Sequence, residues 1–410
     1  MPEHAPITAA AATAATTTAA TTAAPPLAEK DLHHWKLLDS FQERVEAVFA
    51  RHDLHPSWAD PKRRLAAAEY LSLFFFGLLN PVAQTLRGLA AASRLKRVQR
   101  EVCGRAVSRT SFSDAQHLLD PALLQAVLAD LARAVPAAPA DARRGDWAWQ
   151  ARDGSLFPAL PRMAWALYGA GAQGAPNRAV RLHLSLHLFD DKPTQSAVRP
   201  GRDCERAVWE EQLEPGAGTV GDRYFGENDQ VFGRLEQKGC AYVIRLLDQA
   251  VVNVEEELSV TEADRAAGVT RQAWVTLGQT ERYRSVRLRV VWVQGDKTTL
   301  VLATNLAPAA LAAAEVSQLY RKRWQIELYF RWIKCVLGCG HWLAESPAGA
   351  AIQIYLALIA SVLLQLYTGR RPNKRMMELI RFYLMGWATP AELSQGLERY
   401  KAELARRQKS

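Results

Sequence analysis

Apolar residues recur at helical spacing in the first third of the chain and at a spacing of two in the middle third. Leu37, Leu38, Phe41, Val45 and Val48 predict one helix, and Ala66 to Leu79 predicts another that Asn80-Pro81 stops. Ser111-Phe-Ser-Asp predicts the opening of a further helix through Leu118 and Leu128. The period changes near Asp146. Trp147-Ala-Trp-Gln-Ala-Arg reads as a strand ending at Asp153-Gly154-Ser155, and Met163 to Tyr168 as a second strand. Ala179 to Phe189 alternates, with Arg181, His183, Ser185 and His187 on a polar face and Leu182, Leu184, Leu186 and Leu188 on the other. A short apolar run, Gly216 to Val220, ends in Gly221-Asp222. A helix-like stretch follows around Phe225–Gln237, then the strand Ala241-Tyr-Val-Ile-Arg-Leu-Leu, and alternation continues from Asp248 to Leu306. The last part returns to a helical pattern: one helix from about Ala312 to Leu337, an uncharged one within Ser346–Gly369, and a basic tail with Arg370, Arg371, Lys374, Arg375 and Arg381.

The uncharged stretch is long enough to span a bilayer. Gln353, Gln365 and its opening Ser-Pro-Ala-Gly argue instead for a core helix, so no membrane role is expected. Residues 1–30 are Ala/Thr/Pro-rich, which predicts a disordered leader too polar for a signal peptide. Hydrophobic content of 49% with 23% charged residues suits a soluble globular protein, and 410 residues allow two or three domains. Lys+Arg 51 against Asp+Glu 42 gives a net charge of +9, compatible with a phosphate-backbone partner. The segment Leu89–Arg109 carries Arg94, Arg97 and Arg100 among its cations, and contact with duplex DNA is expected there.

Five scattered cysteines do not form a disulfide framework, which favours a reducing cytosol. Cys335-x3-Cys339-x-His341 lacks a second ligand pair and is expected to place two small core residues a helical turn apart. His183 and His187, four apart on a strand, stand about 13 Å apart and cannot share a metal.

The sharpest pattern lies on the helix after residue 312. Tyr320, Arg323, Glu327 and Lys334 sit at offsets of three, four and seven. At about 100° per residue they fall within about 60° of arc. One carboxylate thus stands among a phenol and two cations, an arrangement suited to facing a polyanion across a metal ion. Asp153 and Asp222, both expected at strand ends, supply two further carboxylates upstream. Such an oxygen donor set suits Mg²⁺ or Mn²⁺. Two such ions would activate water or a DNA 3′-hydroxyl and stabilise the leaving oxygen. Arg323 and Lys334 would hold phosphates, with Tyr320 donating one hydrogen bond.

Tyr320-x2-Arg323-x3-Glu327-x6-Lys334 resembles the Tyr-Arg-Glu-Lys signature of the bacterial insertion-sequence transposases often called the IS-four family. Asp153-Gly-Ser and Gly-Asp222-Arg-Tyr-Phe are similar to that family's two aspartate motifs. The resemblance covers roughly residues 147–366. It implies an α/β fold: a ribonuclease H-like mixed sheet flanked by helices, with a β-rich insertion, an all-α N-terminal domain and a helical C-terminal region. The corresponding limits are a helical DNA-binding domain at 31–142, core at 143–247, inserted β segment at 248–306, core helix at 307–345, and at 346–410 a helical region for DNA contact or dimerisation. It further implies Asp153, Asp222 and Glu327 as a triad for two Mg²⁺ ions, for which Mn²⁺ may substitute. The implied partners are duplex DNA, as element terminal inverted repeats and target, and a second copy of the chain in a synaptic homodimer within the bacterial cytoplasm. Arg245 resembles a further DNA-contacting position. The relatives' base-stacking Trp is replaced here by Leu300, with Trp292 nearby, which makes a DNA hairpin step less secure than metal-dependent cutting. A nuclease without strand transfer and a catalytically inert, transposase-derived DNA-binding protein are the alternatives.

Overall fold

The computed structural model describes residues 36–138, 147–170, 176–227, 230–278, 286–295, 298–338, 341–369 and 371–407. The leader at 1–30, Cys339 and Arg370 lie outside them.

Five longer α-helices open the described chain, α1 (Lys36–Phe49), α2 (Ala67–Leu79), α3 (Leu86–Ala92), α4 (Arg109–Ala115) and α5 (Ala122–Ala134), with short helical turns at Pro56–Ala59, Lys96–Val98 and Gln99–Cys103 between them. Asn80 ends α2 in an extended conformation, as the Asn-Pro pair predicted. The helix expected to run from Ser111 through Leu128 is instead two. The chain turns between them at Asp120-Pro121, and Pro121 caps α5, because proline has no N–H to continue the helix before it.

Ten strands then build one sheet. They are β1 (Ala148–Pro158), β2 (Leu167–Ala170), β3 (Pro176–His187), β4 (Pro193–Pro200), β5 (Ala217–Gly226), β6 (Ala241–Leu246), β7 (Val252–Leu258), β8 (Val269–Leu277), β9 (Arg287–Gln294) and β10 (Thr299–Thr304). The order is β2-β3-β1-β5-β6-β10-β9-β8-β7, with β4 also pairing β3. β1, β3 and β4 are antiparallel, while β1, β5 and β6 run parallel. β10 then joins β6 antiparallel, so β7 to β10 extend the same sheet. Helices α6 (Glu205–Glu211), α7 (Gln230–Gln237), α8 (Glu262–Ala266), α9 (Ala313–Lys322), α10 (Trp324–Arg331), α11 (Pro347–Thr368), α12 (Lys374–Leu384) and α13 (Pro390–Arg407) complete the described elements. This is the mixed sheet with flanking helices that the ribonuclease H-like expectation calls for.

The second strand begins later than expected. Met163 lies buried in a turn and β2 starts at Leu167. Each face of the sheet has its own apolar core. Along β6, Ala241 and Val243 join the larger core with the N-terminal helices, α9, α10 and α11. Tyr242, Ile244 and Leu246 join the other, with α6 and α7. β3 departs from its expected polar face, since His183 and Ser185 are buried as deeply as the leucines beside them. Burial together with Arg181 and Arg199 pushes the His183 imidazole down to about 4, so it stays neutral.

α11 is a core helix, with 94% of its most apolar window buried. Its polar positions are used internally. The Gln353 side chain accepts from Leu343 N and donates to the His341 carbonyl, and Gln365 donates to the Asp190 carbonyl.

Candidate active site

β1 and β5 are in parallel register through Ala151–Val220. Two residues further along each strand stand Asp153 and Asp222, level with one another just where the ladder ends. Trp149, Ala151 and Phe157 of β1 lie in the larger core, and strand alternation turns Asp153 to that same side, where α10 packs on β1. The sequence placed Asp153 at a strand end. β1 continues to Pro158, and what ends at Asp153 is its pairing with β5.

Asp222 sits in a bulge. β5 pairs β6 at Gly221–Ile244 and again at Gly226–Leu246, so residues 222–225 face Arg245 alone. Bulges re-aim side chains and recur beside active sites. The Asp222 carboxylate accepts from Tyr224 N at 2.9 Å. Gly226 allows the ladder to close again, because a Cβ there would lie 2.2 Å from the Arg245 carbonyl oxygen. Arg245 donates to Asp248 at 3.1 Å.

A third carboxylate approaches from α6. Glu205 lies against Gly154, where a Cβ would meet its carboxylate atoms at 2.8 to 3.0 Å, and it pairs with Arg181 at 2.9 Å. Burial, Glu205 and Asp222 together push the Asp153 carboxyl up to about 7. Burial raises Glu205 as well, with Asp222 adding to it and Arg181 opposing.

The signature residues are gathered, though not on one continuous helix. Arg323 separates α9 from α10, and Trp332–Val336, which carries Lys334, is π-helical. Such single π turns often mark functional positions. Arg323 lies over the Tyr320 ring at 5.7 Å and donates to Glu327 at 2.7 Å. Lys334 lies 5.1 Å over the Phe157 ring. Burial lowers its ammonium, while Cys335 and Asp153 draw it back up. Arg323 and Lys334 therefore both feel Asp153. Cys335 is exposed, contrary to the core position expected of it.

Glu327 is turned to Arg323 rather than to the aspartates. Among the described residues no three His, Cys, Asp or Glu side chains stand together closely enough to hold a metal ion. The donor chemistry nonetheless fits a hard cation: half-buried, mutually repelling carboxylates lie beside an oxygen donor that one arginine restrains. The N-terminal arginines stand apart from this cluster. Arg97 and Arg100 both pair with Glu101 and Arg94 is exposed. Trp292 packs partly buried under Arg271 in the inserted segment, and Leu300 is half-buried. Glu205 and Arg181 had no motif to mark them; Gly154 beside Asp153 was the one available signal.

A model of the transposase DDE domain matches residues 150–363, which takes in Asp153, Asp222 and Glu327. The chain belongs to the DDE transposase family. Among similar proteins, a putative transposase of Sinorhizobium fredii (strain NBRC 101917 / NGR234) is 38% identical over 96 residues, 23% of this chain and 25% of that one. A probable transposase for insertion sequence element IS5377 from Geobacillus stearothermophilus is 24% identical over 205 residues, 50% and 52% of the two chains. A putative transposase for insertion sequence element IS4SA from Synechocystis sp. (strain ATCC 27184 / PCC 6803 / Kazusa) is 28% identical over 103 residues, 24% and 30% of the two chains. The chain thus spans between a quarter and about half the length of these curated relatives. A piggyBac transposase synaptic complex with hairpin DNA covers 90% of this chain and 82% of its own at TM-score 0.39 and 11% identity, too low to bear on the fold. The family assignment rests on the domain match, and the mixed α/β architecture on the strand order above.

Proposed function

We propose that this transposase cuts the ends of an insertion sequence and joins the freed 3′ ends to target DNA, with Asp153, Asp222 and Glu327 as its catalytic and metal-binding triad. The observation that carries the reading is the level placement of Asp153 and Asp222 on adjacent parallel strands, with α10 packed on β1 so that Arg323 and Lys334 both feel Asp153. Two Mg²⁺ ions, or Mn²⁺, held by the three carboxylates would supply activation of the attacking oxygen and charge stabilisation of the leaving one.

The chain's own residues do the rest. Arg323 and Lys334 hold phosphate oxygens, Arg323 by a bidentate fork and Lys334 as a point charge. Tyr320 donates to a phosphate oxygen and Arg245 contacts the DNA beside the Asp222 bulge. A phosphate that takes Arg323 breaks its pairing with Glu327, and the freed carboxylate can turn toward the aspartates. The N-terminal helices, through Arg94, Arg97 and Arg100, contact duplex DNA outside the cut. Two copies bridge two element ends, and the protein works in the bacterial cytoplasm on nucleoid DNA.

The test is Mg²⁺-dependent cleavage of DNA carrying the element's own ends. Wild type is expected to cut at the junction, while Asp153→Asn and Glu327→Gln bind the same DNA without cutting it. Cutting by either variant would sink the triad. A second assay with 3′-hydroxyl donor and target DNA separates a transposase, which joins them, from a nuclease, which does not. Arg323→Ala and Lys334→Ala are expected to weaken end binding and to flatten its salt dependence by about one phosphate each.

A further inference from the structure

The bulge that carries Asp222 has no ladder to hold it. β1 stops pairing β5 at Val220, and β6 is unpaired across residues 222–225. α6, arriving from the opposite face of the sheet, is fastened to this segment. Trp209 of α6 packs on Phe225 with ring centroids 4.6 Å apart, in the second core. Arg206, one turn earlier, donates twice to the Tyr224 carbonyl oxygen at 3.0 and 2.6 Å, lies 4.1 Å over the Tyr224 ring, and pairs with Glu227. Tyr224 N in turn donates to the Asp222 carboxylate.

We propose that Arg206 is a positioning residue for catalysis: through Tyr224 it fixes the turn that aims Asp222, the carboxylate already assigned to the metal site. The inference rests on that assignment. The two anchors divide the work. Trp209 and Phe225 bury apolar surface and contribute stability, whereas Arg206, half-buried with its guanidinium on a backbone carbonyl, sets an angle. Its neighbour Glu205 lies against Gly154 beside Asp153, so the first turn of α6 touches the supports of both aspartates. A guanidinium is needed because its planar fork donates two converging hydrogen bonds to one carbonyl oxygen while its face stacks on a ring, which an ammonium cannot do.

Four measurements on full-length Arg206→Ala and Arg206→Lys test this: thermal melting, affinity for element-end DNA, Mn²⁺ affinity by calorimetry, and single-turnover cleavage. For Arg206→Ala we expect melting and DNA affinity near wild type. Mn²⁺ affinity and cleavage should each fall about 10- to 100-fold, the range seen when a partner of a metal ligand is lost. Arg206→Lys should recover part of both. Mn²⁺ affinity and cleavage at wild-type levels in Arg206→Ala would overturn the proposal. So would a loss of cleavage accompanied by a melting temperature lowered by more than about 5 °C, which would make Arg206 a purely structural contact. Should wild type itself not cut, the transposition reading fails, and the Mn²⁺ affinities alone still decide whether Arg206 aims Asp222.

Discussion

Two regions of the sheet, its β7 edge and its interior at β1 and β5, use the same residue types to opposite effect. At the β7 edge, Arg271 pairs with Glu257 across β8 and β7 and lies 4.7 Å over the Trp292 ring. Arg287 of β9 likewise reaches Glu255 and Glu256 and lies 4.8 Å over the Trp274 ring. Glu255, Glu256 and Glu257 each have a cation, these paired side chains stand 40–57% exposed, and water screens what remains. Where β1 and β5 part in the sheet interior, Asp153, Asp222 and Glu205 lie together with less solvent, and burial drives Asp153 up to about 7. A fold built only for stability would not gather acids this way. The contrast separates a charge ladder that protects a sheet edge, where unpaired strands invite aggregation, from a charge imbalance suited to a cation and a phosphate.

Four experiments would break or sharpen this contrast, beginning with the largest effect. Asp222→Asn should reduce cleavage of element-end DNA by on the order of 10³-fold or more, since groups acting as a unit fail together. Residual cutting within tenfold of wild type would make Asp222 a turn residue only. Gly154→Ala places a Cβ 2.8 Å from the Glu205 carboxyl carbon. It should displace Glu205 from Arg181 and lower cleavage about tenfold, with little change in melting. Unchanged cleavage would mean that Glu205 swings aside freely.

The third effect is a pH dependence. Asp153 binds its proton more tightly folded than unfolded, where a carboxyl titrates near 4. The stability linked to it is therefore fully present below about pH 4 and is lost as pH rises through about 7. Metal-free protein should melt at a lower temperature at pH 8 than at pH 5, by a few degrees, and Asp153→Asn should remove part of that difference. A variant whose melting falls as steeply as wild type would place the titration elsewhere. Smallest of all, Arg271→Ala and Arg287→Ala should each cost about 1 kcal/mol or less and leave cleavage within about twofold. Loss of cutting in either would give the inserted ladder a role in DNA handling.

Local chemistry made the catalytic elements readable. Period-two alternation marked β1, β3 and β6, the Asn-Pro pair marked the end of α2, and the two glutamines in α11 identified it as a core helix before any packing was known. The spacing of Tyr320, Arg323, Glu327 and Lys334 predicted one helical face for four candidate groups, because helical offsets are a property of the backbone. Where the reading went astray, the cause lay in long-range contacts. His183 looked solvated on an alternating strand, yet it is buried. The signature helix looked continuous, yet it breaks at Arg323 and ends in a π turn.

The sequence by itself determined the elements, the family signature and which carboxylates could do chemistry, since periodicity and spacing are written along the chain. Only the tertiary structure decided that Asp153 and Asp222 stand level where two strands part, and that α6 brings Glu205 and Arg206 up to the supports of both aspartates. These depend on register, a bulge and a helix crossing the far face of the sheet. Each joins residues dozens of positions apart, and no local pattern in the chain encodes them.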